Sequence, residues 1–174
     1  AESQGVELLE LFRLASPKDP NLLPQSVCHI EKSILTAGDS VGKAEAAGRC
    51  LEVLSGFGPF EAAAGEAGFF PSPDRPKVFW LGFADGAARL SEAAGTLSAA
   101  LRAEGFVLEE RTFVPHLTLA RLKGSVPPAA AVKAAAAAKE LCRGARFPVT
   151  GAVLFSSELS SGGPRYSELK RIDF

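Results

Sequence analysis

The chain changes between two hydrophobic rhythms, and each change marks an element. Near the start, Val6, Leu8, Leu9, Leu11, Phe12 and Leu14 are separated by Glu7, Glu10 and Arg13, a spacing that predicts an amphipathic helix over 6–14. Ser16, Pro17 and Pro20 end it. A strand is expected over 27–35, holding His29, Ile30 and Glu31. Gly38, Asp39 and Ser40 then open a helix, capped by Asp39 or Ser40, that runs through Lys43 to Leu54 until Gly56 and Gly58 stop it. Two strands over 60–70 and 77–83 flank the link Pro71-Ser-Pro-Asp-Arg-Pro76. That link is a loop, because proline cannot donate to a ladder.

The second half follows the same order. A helix is predicted over 86–104, with Leu90, Ala94, Leu97 and Leu101 on one stripe and Gly105 as its stop. A strand over 114–122 carries His116, and Pro127-Pro128 opens an alanine-rich helix to Arg143, since alanine has the highest helix propensity and proline suits the first helical turn. Strands over 149–155 and 165–172 complete the pattern. Each half therefore reads helix, strand, helix, strand, strand.

This order is reinforced by self-similarity. His29 and His116 are 87 positions apart, half of the 174 residues, and each is followed 31 residues later by a phenylalanine, Phe60 or Phe147. Each copy continues with an apolar run, a Ser/Pro/Gly turn and a proline-basic-aromatic segment, ending Pro76-Lys77-Val-Phe79-Trp80 in one and Pro164-Arg165-Tyr166 in the other. The expected architecture is α+β and bilobal: one domain over 1–174 built from repeats 1–87 and 88–174. Each lobe has an antiparallel sheet and two helices, with a cleft between them.

Composition narrows the setting without naming a partner. The chain is 47% hydrophobic with a net charge of −1, enough for a well-buried core, so any anion-binding surface has to be local. Cys28, Cys50 and Cys142 are an odd set with no Cys-x-x-Cys spacing, which points to reduced thiols rather than disulfides or zinc. No apolar run reaches membrane-spanning length and no leader pattern stands at the N-terminus. The expectation is a cytoplasmic monomer that does not engage a membrane.

Chemistry concentrates in Phe113-Val-Pro-His116-Leu-Thr118-Leu-Ala-Arg121. On a strand, residues two apart share a face, so His116 and Thr118 stand side by side, Leu117 and Leu119 point to the core, and Arg121 lies opposite or just past the strand end. Pseudo-twofold lobes would set His29 across the cleft from His116. Paired imidazoles suit in-line attack on a phosphodiester: one takes a proton from water and the other gives one to the departing oxygen, which histidine can do near neutral pH. Neighbouring hydroxyls can hold the non-bridging oxygens, with no metal or cofactor required. Arg75, Arg111, Arg121 and Lys123 read first as surface charges, and any that line the cleft would hold an anionic substrate, Arg121 being the best placed. Trp80, Phe79 and Tyr166 are read as core or sheet residues, any of which could instead stack a base.

The stretch around His116, together with Pro71 to Gly82 upstream and Leu154-Phe-Ser-Ser-Glu-Leu and Gly162-Gly-Pro-Arg-Tyr166 downstream, resembles the two-histidine phosphoesterase superfamily. Within it the RNA 2′,3′-cyclic phosphodiesterases, historically called 2′-5′ RNA ligases, are the nearest likeness. It is close from about Gly56 onward and weaker before. The resemblance implies a metal-independent enzyme that opens RNA 2′,3′-cyclic phosphates to 2′-phosphomonoesters, some relatives also joining 2′-5′ linkages in reverse. It implies His116 as proton acceptor, His29 as proton donor, and Thr118 and Arg121 as phosphate ligands. The family opens with a strand before its first helix, for which residues 1–5 are too few. Glu31 stands where the first motif has threonine or serine. Against a phosphate about 4 Å away, a carboxylate costs on the order of 4 kcal/mol at an effective dielectric near 20, whereas bonded to His29 it would favour the imidazolium. Two other readings remain open: a binding module for RNA or nucleotides without turnover, and the same chemistry on a small cyclic nucleotide.

Overall fold

The computed structural model describes the backbone of residues 7–14, 29–31, 40–108, 110, 112–160 and 163–174, and side chains from residue 42 onward except 109, 111 and 157–165. In chain order the elements are β1 (Glu7–Leu14), β2 (His29–Glu31), α1 (Ser40–Leu51) with a 3₁₀ turn at Glu52–Leu54, β3 (Phe60–Phe70), β4 (Val78–Asp85), α2 (Ala87–Ala103), β5 (His116–Arg121), α3 (Pro128–Leu141), β6 (Arg146–Ser160) and β7 (Gly163–Asp173). The fold is α+β with every strand pair antiparallel. No helix among the described residues is long and apolar enough to cross a membrane.

One expected element changes type. The stretch 6–14 is not a helix: Glu7–Leu14 is strand β1, laddered to β2 on one side and β6 on the other. Its apolar run is short enough to fit either period, and pairing on both edges decides. β1 is also the strand that the family resemblance places before the first helix.

The strands follow the path β2-β1-β6-β3-β4-β5, with β7 added alongside β6. Two three-stranded wings, β2-β1-β6 and β3-β4-β5, meet at a short ladder that pairs Phe60 with Val149, Glu61 with Pro148, Ala62 with Phe147 and Ala63 with Arg146. Residues 147, 148 and 149 are the 87-residue counterparts of 60, 61 and 62. The ladder is therefore symmetric about the pair Glu61 and Pro148, and the two sheets are continuous through it. The far ends of the path do not stay apart: Cα atoms of β2 and β5 come within 8 Å of each other. The sheet curls until the strand bearing His29 lies beside the strand bearing His116.

α2 fixes that curl from one side. Its Leu90, Ala93, Ala94, Leu97 and Leu101 are buried, and they join Leu81 of β4, Leu117 of β5, Leu154 of β6 and Leu54 in one core cluster. A buried leucine of this kind contributes about 1.5–3 kcal/mol. α3 is different. Pro128 starts it, and Ala131 is its one buried residue, so alanine propensity rather than packing sustains it. It lies along β3, where Lys139 pairs with Glu66.

Candidate active site

The segment before His116 positions it. Val114 precedes Pro115, and a residue before proline is held extended. The Val114 carbonyl lies 2.7 Å from His116 Nδ1. A carbonyl can only accept, so Nδ1 carries the hydrogen and, in the neutral ring, Nε2 is the nitrogen left with a lone pair. His116 is half-buried, and the Phe70 ring meets it edge-on with centroids 5.0 Å apart at 84°.

The register of β5 against β4 orders the neighbouring groups. Gly82 pairs with His116, Leu81 with Leu117, Trp80 with Thr118, Phe79 with Ala120 and Val78 with Arg121. Leu119 is left without a partner, which makes it a bulge. Cross-strand partners share a face. Gly82, Trp80 and Val78 alternate along β4 on one side, and so His116, Thr118 and Arg121 occupy the same side of β5.

Two expectations change here for one reason. Arg121 is not opposite His116 and Thr118, nor past the strand, because the extra residue of the bulge restores its phase as the last residue of β5. Leu119 does not reach the core: it is 42% exposed, while Leu117 is buried as expected. Thr118 is half-buried and Arg121 exposed.

The first histidine is located by its backbone. His29 pairs with Leu11 and Glu31 with Leu9 on β1, at the end of the path that approaches β5. The structure thus brings the strand of His29 and Glu31 against the strand of His116, Thr118 and Arg121. Arg75 and Lys123 lie exposed in the segments flanking β4 and β5, and Arg111 falls outside the described residues.

Sequence reasoning missed Phe70. It stacks on Trp80 with centroids 5.1 Å apart and an interplanar angle of 27°, on the histidine side of the sheet. The indole can lie flat because two glycines sit beneath it: a Cβ at Gly68 would come within 2.6 Å of Trp80 Cζ2, and one at Gly82 within 3.2 Å of Cζ3. Trp80 Nε1 is buried with no hydrogen-bond partner among the described residues. The available signal was the spacing of Gly68 and Gly82 around an aromatic-rich hairpin.

An antiparallel sheet curled to set two histidine strands side by side, one of them His-x-Thr, defines the class as a two-histidine phosphoesterase fold. Residues 82–166 match the family described as "LigT like Phosphoesterase", and that segment belongs to it. Proteins named RNA 2′,3′-cyclic phosphodiesterase are similar in sequence. The one from Methanothermobacter thermautotrophicus is 34% identical over 121 residues, covering 68% of this chain and 63% of that protein. The one from Aeropyrum pernix is 45% identical over 58 residues, 33% of each. The alignments thus span less than two thirds of these relatives' length. Among solved structures, E. coli LigT complexed with 3′-AMP superposes with a TM-score of 0.59 over 98% of this chain and 99% of that one, at 21% identity. A protein from Thermus thermophilus gives a TM-score of 0.59 over 97% of both chains at 21% identity. These two likenesses concern the fold.

Proposed function

We propose that this chain hydrolyses RNA 2′,3′-cyclic phosphate ends to 2′-phosphomonoesters, without a metal, by paired histidine acid–base catalysis. The observation that carries the reading is the meeting of β2 and β5 at the two ends of one sheet path, each strand bearing one of the chain's two histidines. The names of the sequence relatives point the same way.

In this reading the cyclic phosphate sits between the two strands. His116 Nε2 takes a proton from the attacking water, its other nitrogen being tied to the Val114 carbonyl. The new bond is water oxygen to phosphorus, and the bond that breaks is phosphorus to the 3′ oxygen. His29 as imidazolium gives that oxygen its proton, leaving a 2′-phosphomonoester and a 3′ hydroxyl. Thr118 and Arg121, on the same side as His116, hold the non-bridging oxygens as their charge grows. Glu31, two residues after His29 on β2, borders the same phosphate. Run forwards with a 5′ hydroxyl in place of water, the same steps form a 2′-5′ linkage: the 5′ oxygen bonds to phosphorus as the bond to the 3′ oxygen breaks.

The test is hydrolysis of an oligonucleotide ending in a 2′,3′-cyclic phosphate by the wild type, His29→Ala and His116→Ala. Turnover in the wild type and loss in both variants supports the enzyme. Binding without turnover in the wild type would instead make the chain an RNA-binding module. Comparison with a cyclic mononucleotide sets the substrate size.

A further inference from the structure

We propose that Phe70, backed by Trp80, is the wall on which the nucleobase next to the cyclic phosphate stacks. The inference rests on the catalytic reading above and adds to it what holds the nucleoside. Its first support is position. Phe70 touches the His116 ring edge-on at 5.0 Å, and in a nucleoside 2′,3′-cyclic phosphate only the ribose separates phosphorus from base. A phosphate addressed by His116 therefore puts its base one sugar away, where the Phe70 ring stands.

The second support is how the ring is held. Phe70 is half-buried with one face against Trp80, and the indole is kept flat by Gly68, where a Cβ would collide with it at 2.6 Å, and by Gly82, where one would crowd it at 3.2 Å. The result is a layered stack of backbone, indole and phenyl ring, built at the end of the hairpin where Phe70 pairs with Val78. The stacked rings Phe69 and Phe79 belong to the opposite side of the same strands and are no alternative: Phe69 is buried.

The third support concerns selectivity. Trp80 Nε1 is buried and presents no donor to a base edge, so this wall offers ring faces only. Every base has a π-face, so stacking tolerates all four. The wall thus selects a nucleoside over a bare sugar phosphate without choosing among bases.

The experiment compares adenosine 2′,3′-cyclic phosphate with 1-O-methylribose 2′,3′-cyclic phosphate, which lacks a base. In wild type the nucleoside has the lower KM. Phe70→Ala raises KM for the nucleoside about tenfold with little change in kcat, leaves the base-free substrate unaffected, and Phe70→Tyr restores the wild-type value. Phe70→Leu, which keeps bulk without a ring, behaves as Phe70→Ala and guards against misfolding. An equal effect on both substrates, or none on either, overturns the proposal. Should the wild type turn over neither substrate, the catalytic reading fails by itself. The wall is then judged by calorimetric binding of adenosine 2′-phosphate against ribose 2-phosphate, where a preference lost in Phe70→Leu supports it and equal affinities overturn it.

Discussion

The Val114 carbonyl and His116 Nδ1 are 2.7 Å apart, with Pro115 between the two residues in sequence. That bond sets which imidazole nitrogen keeps its hydrogen, and the proline sets the chain path that makes the bond. Removing the ring of Pro115 returns backbone freedom of about 0.4–1 kcal/mol. Pro115→Ala should therefore lower kcat about two- to fivefold with KM unchanged, measured by steady-state hydrolysis of a 2′,3′-cyclic nucleotide.

His116→Ala removes the proton acceptor altogether. General base catalysis contributes about 10²–10⁴, so kcat should fall by that factor while affinity for a 2′-phosphorylated product stays near wild type. A variant that keeps turnover would remove His116 from the chemistry.

Thr118 shares the His116 side by strand alternation, and Arg121 joins them only because of the bulge at Leu119. Thr118→Val keeps the branched shape and loses the hydroxyl. Hydrogen bonds to charged groups are worth about 1.5–3 kcal/mol, so kcat/KM should drop about 10- to 150-fold, and Thr118→Ser should recover most of it. Arg121→Ala should also weaken the dependence of oligonucleotide binding on salt, readable as a shallower slope of log affinity against log salt.

The difference between what the residues announced and what they concealed has a physical basis. The stripe Leu90, Ala94, Leu97 and Leu101 was legible because helical periodicity is local, and all four are buried. The strands over 60–70 and near 78–85 were legible from the proline-dense link between them. β1 was not, because Leu8, Leu9, Leu11 and Phe12 satisfy a helix and a doubly paired strand alike, and only β2 and β6 distinguish them. His116 and Thr118 could be set side by side from spacing alone. The side on which Arg121 stands depends on one unpaired residue in a ladder with β4, and no feature of β5 by itself records that. Phe70 was hidden for a similar reason: its neighbours Trp80 and His116 come from two other strands.

Gly68 tests the floor of the site. Adding a methyl there places a carbon within 2.6 Å of the indole, a separation real atoms do not tolerate, so Trp80 has to lift and carry Phe70 toward His116. Overpacking of this kind costs about 1–3 kcal/mol. Gly68→Ala should lower the melting temperature by several degrees and reduce kcat/KM, whereas Gly95→Ala on α2, with nothing within 4 Å of the new carbon, should do neither.

Glu31 is the departure from a symmetric pair of His-x-Thr motifs, and its replacement is the sharpest probe of what β2 contributes. A carboxylate bordering a phosphate repels it by up to about 4 kcal/mol at 4 Å and an effective dielectric near 20, and solvent near the surface reduces that. Glu31→Thr removes the repulsion and supplies a hydroxyl donor, completing on β2 the motif already present on β5. The expected outcome is a KM for the cyclic phosphate lowered about tenfold with kcat maintained. A fall in kcat without a change in KM would assign the carboxylate to His29 instead, as the group that favours its imidazolium. Glu31→Gln separates the two causes, because it removes the charge while keeping the length: a KM that falls in Gln as well as in Thr belongs to repulsion of the phosphate, and a kcat that falls in both belongs to the histidine.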